Sequence, residues 1–457
     1  MIFFGIKLTN SQKWDIGHES RIVAIAAVLF TGLSAFAADA PLILTLDDAV
    51  KMGLERNIDI ELARRDLAIS ESRYHQAFGA ALPALTLSGG YTRNFLEPLA
   101  FFGGQKILAG QPNALQAEAQ VDQALYSGGK VSAALRGGAA ARKQSELDLQ
   151  QRGDDTALQV KKLFYSVLLA SATASIERDN LASAAEHLRT IQERYKNGLD
   201  SDLAVLRQQV EVANAKPALI RASNQVELGL TLMKETLALD VDLPLTLVGD
   251  LAAPSVAVPS YERAEELAMS RRPEVLSSHQ AALVAQETTR VVAADGKPQL
   301  SAFWNYIWQG QGPNLNLGPQ QRGYSSAAGV NLRFPVFGGG QVHYRVAQSE
   351  LGYEKALAQE AQVRRAVRVD VKRQWLGVRE ALERAQSQET AIDQARRALE
   401  SIETRYKAGQ SGQLDLTDAT LALNRARTTY VQALNDYWVG LAALSRAAGA
   451  DLKEIMP

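Results

Sequence analysis

Few residues in the chain have types and spacings that invite chemistry. Gly128-Gly129-Lys130 looks like the end of a phosphate loop, where glycine N–H groups wrap the anion and the lysine meets its charge. That motif needs a glycine five positions before Gly129 and Ser or Thr after the lysine; Ala124 and Val131 stand there instead. A sharp turn between two elements accounts for these glycines better. His18, His75, His187, His279 and His343 are scattered and form no HExxH pair or cluster, so no metal site is expected. His187 and His343 are expected to face solvent on helices. The pairs Asp47-Asp48 and Asp154-Asp155 sit in charged helical surroundings and read as solvated faces. Asp415 and Asp418 stand three apart, which on a helix is one face, and as first-turn acids they favour the positive end of its dipole. No nucleophile–base arrangement is legible, so neither an enzyme nor a cofactor is expected.

Composition narrows the field further. Cysteine is absent, which excludes disulfides, thiolate catalysis, cysteine-bound zinc and a lipidated N-terminal cysteine. Charged residues make up 22% and nearly cancel to −1, with no basic patch, so nucleic acid is not an expected partner. Arg21, the apolar run Ile22 to Leu33 and Ala35-Phe36-Ala37 read as a secretory signal, residues 1–37. Beyond it no stretch reaches the length of a transmembrane helix.

The residues above hang on an unusual framework. From Lys130 to Gly198 the sequence reads as one helix, about 100 Å long. Its apolar ladder runs at sevens: Val167, Ala174, Leu181, Leu188, Tyr195. Ala170, Ala184 and Ile191 follow three positions after, with Glu177 the exception; this is an a/d seam for packing on another helix. The ladder recurs as Val378, Ala385, Ile392, Leu399 and Tyr406, each 211 positions on (167 to 378). Gly137, Gly138 and Gly153 inside the first helix call for close backbone approach.

Taken in order, each half repeats the same parts. Leu46 to Arg56 reads as a short helix capped by Thr45, and a second helix runs from Asn57 to about Ala81, ended by Pro83. The period then changes to two. Leu85, Leu87, Gly89, Tyr91 and Phe95 share one face of a strand at about 84–95, and Thr86, Ser88, Thr92 and Asn94 share the other. A Gly/Pro-rich loop, 96–113, leads to a strand at about 114–126 of the same two-faced kind. The helix of 130–197 turns at Gly198, Asp200 or Ser201 caps the return helix of 201–239, and Pro217 must kink or split it. A linker, 241–260, joins the halves, which occupy 38–240 and 261–457. In the second half the strands fall at about 299–309 and 326–336, the long helix at 340–407 and its return at 412–448. Trp304, Tyr306 and Trp308 read as an aromatic belt at a membrane interface rather than a ligand platform.

Four such strands cannot close a membrane barrel, and an open edge in lipid strands unsatisfied backbone groups, so copies of the chain must share one. Two copies or three would serve. The helices start directly at strand ends through Gly128-Gly129 and Gly338-Gly339-Gly340, so the barrel wall continues as a wall of helices around a tunnel.

With its duplicated strand-to-helix segment (ALYSGGK, PVFGGGQ) and duplicated tip (RYKNGLDSDLAVL, RYKAGQSGQLDLTDA), the chain resembles the TolC family over residues 42–452. The resemblance implies a mainly helical homotrimer: a twelve-stranded barrel in the outer membrane of a Gram-negative bacterium, continued by a periplasmic α-helical barrel. It implies a passive exit channel of a tripartite efflux pump or type I secretion system, working with a periplasmic adaptor and an inner-membrane pump of RND or ABC type. The adaptor is expected at the tips, on Arg194, Tyr195, Gly198, Leu199, Asp202 and Leu203 of the first and Arg405, Gly409 and Leu414 of the second. Asp415, Asp418 and Tyr406 match the family's periplasmic gate. An arginine after the second tip and an aspartate after the first help bridge the family's closed state; Ser411 and Ala204 stand at those places here. The alternative is a soluble periplasmic coiled-coil scaffold or adaptor, and the strand faces decide between the two.

Overall fold

The computed structural model describes residues 41–96, 99–108, 110–253 and 258–455, so the secretory signal expected at 1–37 lies outside the described residues. Strand β1 (Leu42–Leu44) leads into α1 (Leu46–Arg56) and α2 (Ile58–Gly79). Thr45 and Asp48 form a reciprocal cap at the start of α1, so Asp48 holds a helix end rather than a merely solvated face. Then come β2 (Ala84–Arg93), β3 (Leu99–Phe102), β4 (Gln105–Leu108), β5 (Asn113–Tyr126), α3 (Lys130–Lys196) and α4 (Asp202–Thr236). After β6 (Leu245–Leu247), the second half runs α5 (Tyr261–Arg271), α6 (Pro273–Ala294), β7 (Gln299–Gly312), β8 (Arg322–Arg333), α7 (Gln341–Lys407), α8 (Gln413–Ala448) and α9 (Leu452–Ile455).

Strands β2, β5, β7 and β8 form one antiparallel sheet in the order β2-β5-β7-β8. Its register sorts the residues by chemistry. One rung joins Leu85, Val121, Trp304 and Ala328, and the next on that face joins Leu87, Ala119, Tyr306 and Ser326. The opposite face carries Thr86, Gln120, Asn305 and Ala327 on one rung and Ser88, Glu118, Ile307 and Ser325 on another, polar but for one residue in each. A one-residue slip would mix the two faces, so the alternation itself fixes the pairing. The second pair of strands is displaced from expectation: β7 extends to Gly312, and β8 starts at Arg322 and ends at Arg333, leaving 334–336 outside it.

Each long helix leaves the sheet through glycines in the left-handed region, Gly128 and Gly129 (φ +65° and +91°) and Gly339 and Gly340 (+63° and +75°). Gly338 is not left-handed. The two helices, each 67 residues long, span the whole helical part. At the sheet end α2 packs on α3, and α6 lies between α3 and α7; at the far end α4 packs on α3, α8 on α7, and α8 also meets α3. The repeat extends to packing detail. A Cβ on Gly229 of α4 would lie 2.8 Å from Val167, and one on Gly440 of α8 would lie 3.0 Å from Val378. Both valines are rungs of the sevenfold ladder, seated where the facing helix has no side chain. Gly137 also marks a close approach, to the Glu287 side chain on α6, whereas Gly138 and Gly153 make only ordinary contact.

Midway along the rods, apolar residues of the short helices close over them. Val160, Phe164, Met233 and Leu237 are buried with Leu44 and Leu245 in the first half. Val367, Val371, Tyr437 and Leu441 are buried with Ala264 and Leu267 in the second. The linker is therefore not all loop: β6 pairs in parallel with β1 there.

Four further expectations change. The loop 96–113 holds a hairpin of its own, β3 with β4, turning at Gly103-Gly104 (φ +57° and +80°). Helix α4 runs through Pro217 unsplit; Ala213, whose carbonyl would accept from the missing N–H, is exposed and can be solvated. Asp154-Asp155 is not a solvated pair, since Arg446 bonds Asp155 (2.8 Å) and burial pushes the Asp154 carboxyl up. His187 is half-buried against Glu403 (3.8 Å) on α7, and burial holds its imidazole below the ordinary histidine range.

Candidate functional site

The two helical turns farthest from the sheet lie side by side, and their geometry starts from the same local sequence. At the first tip Gly198 donates to Tyr195 O (2.9 Å) and Leu199 to Arg194 O (2.9 Å); at the second Gly409 donates to Tyr406 O (3.0 Å) and Gln410 to Arg405 O (2.8 Å). This is the Schellman closure of a helix end, with glycine in the left-handed position. The return helices are capped differently. Ser201, not Asp200, caps α4, its Oγ accepting from Ala204 N–H (3.2 Å). Asp415 caps α8 from inside, accepting from Gly412 N–H (3.0 Å) and from the Ser411 hydroxyl (2.7 Å). The Ser411 bond, then that from Gly412, holds the Asp415 carboxyl below the usual carboxylate range.

Freed from capping, Asp200 turns to the neighbouring tip. Its Oδ2 accepts from Arg194 Nε (2.9 Å) and from the Tyr406 hydroxyl (2.9 Å). The Arg194 guanidinium lies 5.1 Å over the Tyr406 ring. Tyr406 is 4% exposed, whereas its repeat mate Tyr195 is 46% exposed. Burial, then the Asp200 carboxylate, pushes the Tyr406 phenol up to about 12. Ile191, Ala204 and Leu416 are buried around that ring, so an apolar plug surrounds one charged bond. A second tie lies beside it: Gln413 at the start of α8 donates to Ala204 O on α4 (3.0 Å). Further from the tips, Asn424 of α8 donates to Asn180 of α3 (2.8 Å).

The other tip residues singled out from sequence face water. Tyr195, Leu199, Asp202, Leu203, Arg405 and Leu414 are exposed, as are Gly198 and Gly409. Arg194 is turned inward to Asp200. Leu203, Leu206, Val210 and Leu414 line an apolar groove between α4 and α8. Asp415 and Asp418 are both exposed, and Asp418 has no hydrogen-bond or ion-pair partner among the described residues. Asp200, the residue that joins the tips, was missed as a site residue; its one signal is that the repeat changes there, to Ser411. The glycines Gly128, Gly129, Gly338, Gly339 and Gly340 lie at the opposite end and take no part. Among the described residues no group of side chains could hold a metal ion, and no helix is long and apolar enough to cross a membrane.

A sheet with one oily and one watery face, too narrow to close alone and continued by rods of about 100 Å, is one share of a membrane-spanning conduit. The family model for outer membrane efflux proteins matches residues 49–231 and 265–450, and the chain belongs to that family. Outer membrane protein TolC of Vibrio cholerae is 24% identical over 395 residues, 85% of this chain and 86% of that protein. Alkaline protease secretion protein AprF of Pseudomonas aeruginosa is 22% identical over 316 residues, 69% of this chain and 65% of that protein. The solved structure of the outer membrane protein VceC of Vibrio cholerae superimposes with a TM-score of 0.76 at 16% identity, over 89% of this chain and 96% of that one. The chain is thus an outer-membrane exit channel: three copies close a barrel of twelve strands, and their helices continue it into the periplasm.

Proposed function

We propose that the tips are the channel's periplasmic gate and that Asp200 is its latch. The observation that carries this is that one Asp200 carboxylate oxygen accepts two hydrogen bonds, from Arg194 of its own tip and from Tyr406 of the next. The family's closed-state bridge draws on positions held here by Ala204 and Ser411, and neither can supply a charged pair. Asp200 stands four residues earlier than Ala204 and delivers a carboxylate to the same gap. Breaking the latch lets the α7–α8 pair swing away from α3–α4.

The carboxylates of Asp415 and Asp418 form the gate's electrostatic part. Three copies place six of them about one aperture, where they attract cations and repel anions. The exposed residues Leu199, Leu203 and Leu414 form the docking surface for a periplasmic adaptor, which joins the duct to an inner-membrane pump of RND or ABC type. Transport through the duct needs no catalytic step and no cofactor in this chain. Small molecules are the first reading of the cargo; the likeness to a protease secretion protein supports exported polypeptides as the second. The domain reading follows the repeat: 38–240 and 261–457 are the two halves and 241–260 the linker.

Conductance in planar bilayers tests the gate. With Asp415 and Asp418 both changed to Asn, cation preference and blocking by multivalent cations should fall. If neither changes, the carboxylates have no part in gating. Crosslinking in cells followed by purification tests the docking surface: the adaptor should be captured by wild type and lost with Gly198→Val and Gly409→Val, while the trimer survives.

A further inference from the structure

The two loops at the outer end of the sheet differ in how they fold. The loop between β7 and β8 is folded down. Leu317 lies against Gly310 and Gly312, Gln321 accepts from Gly318 N–H (2.8 Å), and a short 3-10 turn, Pro319–Gln321, closes it. The loop between β2 and β5 stands out instead. Its neck is tied, Asn94 N–H donating to Pro112 O (2.7 Å) and Asn94 Nδ2 to Gln111 O (3.0 Å). Beyond the neck β3 and β4 form a ribbon carrying large apolar residues in the open. Phe95 is 89% exposed, Leu96 90%, Phe101 75% and Phe102 79%.

Phe101 and Phe102 are neighbours on one strand, so their side chains point to opposite faces of the ribbon. Docking on a flat protein surface covers one face and leaves the other in water. A fluid apolar medium covers both. Leu85, Leu87 and Tyr91 share the lipid-type face of β2 with Gly89 and Arg93, and Phe95 follows just past the end of the strand. Cations stand at the outer ends of β2 and β8. The Arg93 guanidinium lies 5.9 Å over the Phe95 ring, and Arg322 is at the outer end of β8 in register with Gly310. Residues 93–113 and 310–325 hold Arg93, Lys106 and Arg322 against the single acid Glu97. Aromatic rings beside cations suit the boundary between acyl chains and anionic headgroups.

We propose that this ribbon dips into the outer leaflet beside the barrel, its phenylalanines among acyl chains and Arg93 and Arg322 against lipid phosphates. Each trimer would carry three such anchors.

The absence of cysteine makes the test direct. Single Phe101→Cys and Phe102→Cys variants of the full-length trimer are nitroxide-labelled and reconstituted in vesicles containing phosphorylated lipid A. Relaxation by oxygen, which concentrates in acyl chains, is compared with relaxation by a water-soluble nickel chelate. Both labels should respond more to oxygen than to the chelate, while a Leu315→Cys label on the folded loop responds more to the chelate. A chelate-dominated response at 101 and 102 overturns the proposal. So does shielding from both reagents, which would place the ribbon against protein. The double variant Arg93→Gln, Arg322→Gln should lose part of the oxygen preference in lipid A vesicles and none in neutral phosphatidylcholine. Equal values in both lipids would overturn the headgroup contact.

Discussion

The two tips share a sequence pattern, a Schellman closure and a long helix behind them, yet one tyrosine is buried and the other is exposed. Within the single chain the first tip reaches the second through Asp200, and the repeat differs there at two positions among others. Asp200 at the first tip becomes Ser411 at the second, and the charge passes instead to Asp415, which stands where the first tip has Ala204. The first tip spends its acid on a neighbour and caps its return helix with Ser201; the second spends its acid on the cap. A duplicated element has thus been divided into a part that holds and a part that is held. Local geometry survives such a change because backbone bonds close both turns; what changes is the contact between them.

That contrast predicts unequal costs for equal substitutions. Asp200→Ala should have the largest effect, because it takes the carboxylate from the partly buried Arg194 and leaves it only the Lys407 carbonyl to donate to. The loss should be about 2 kcal/mol, roughly thirtyfold in the ratio of closed to open channels, read as open probability in planar bilayers. Ser411→Ala should leave that ratio nearly unchanged. Alkaline pH comes next. The Tyr406 phenol titrates at about 12 when the tips are joined, against an ordinary value of 10. Joined tips therefore hold a proton that loosened tips release. The latch is intact below pH 10 and weakens as pH rises toward 12, so open probability should climb through that window, and much less so in Asp200→Ala. Tyr406→Phe removes one hydrogen bond and keeps the ring, at about 1 kcal/mol or roughly fivefold, while Tyr195→Phe should stay within about 0.5 kcal/mol. Ser411→Asp gives the second tip the missing acid beside Arg405. An exposed pair of that kind contributes at most about 1 kcal/mol, seen as a modest fall in open probability. A large fall would mean that Tyr195 also has an acid to meet.

Much of the architecture was legible because its signals are periodic and repeated. The sevenfold ladder, the alternation around Leu85 and Leu87 and the offset from Val167 to Val378 each persist over many residues. The β3–β4 ribbon escaped because four-residue strands beside Gly103-Gly104 give too few periods to stand out from a loop. Of the two outcomes expected at Pro217 the split does not occur: whether a proline breaks a helix depends on whether water reaches the carbonyl it orphans, which only the fold decides. The environment of His187 depends on Glu403, a residue of another helix. The Asp200–Tyr406 bond joins positions 206 apart, and no local rule reaches that far. The tip glycines and the pairing of Asp415 with a helix start were readable; the latch was not.

The strand order β2-β5-β7-β8 places the first half at one edge of the sheet and the second half at the other. Ring closure therefore sets the second half of each copy beside the first half of the next, so halves alternate all the way round. The Asp200–Tyr406 bolt joins the two halves of one molecule. A ring of three such molecules carries three bolts, one inside each copy, so releasing them parts halves of the same chain rather than neighbouring chains.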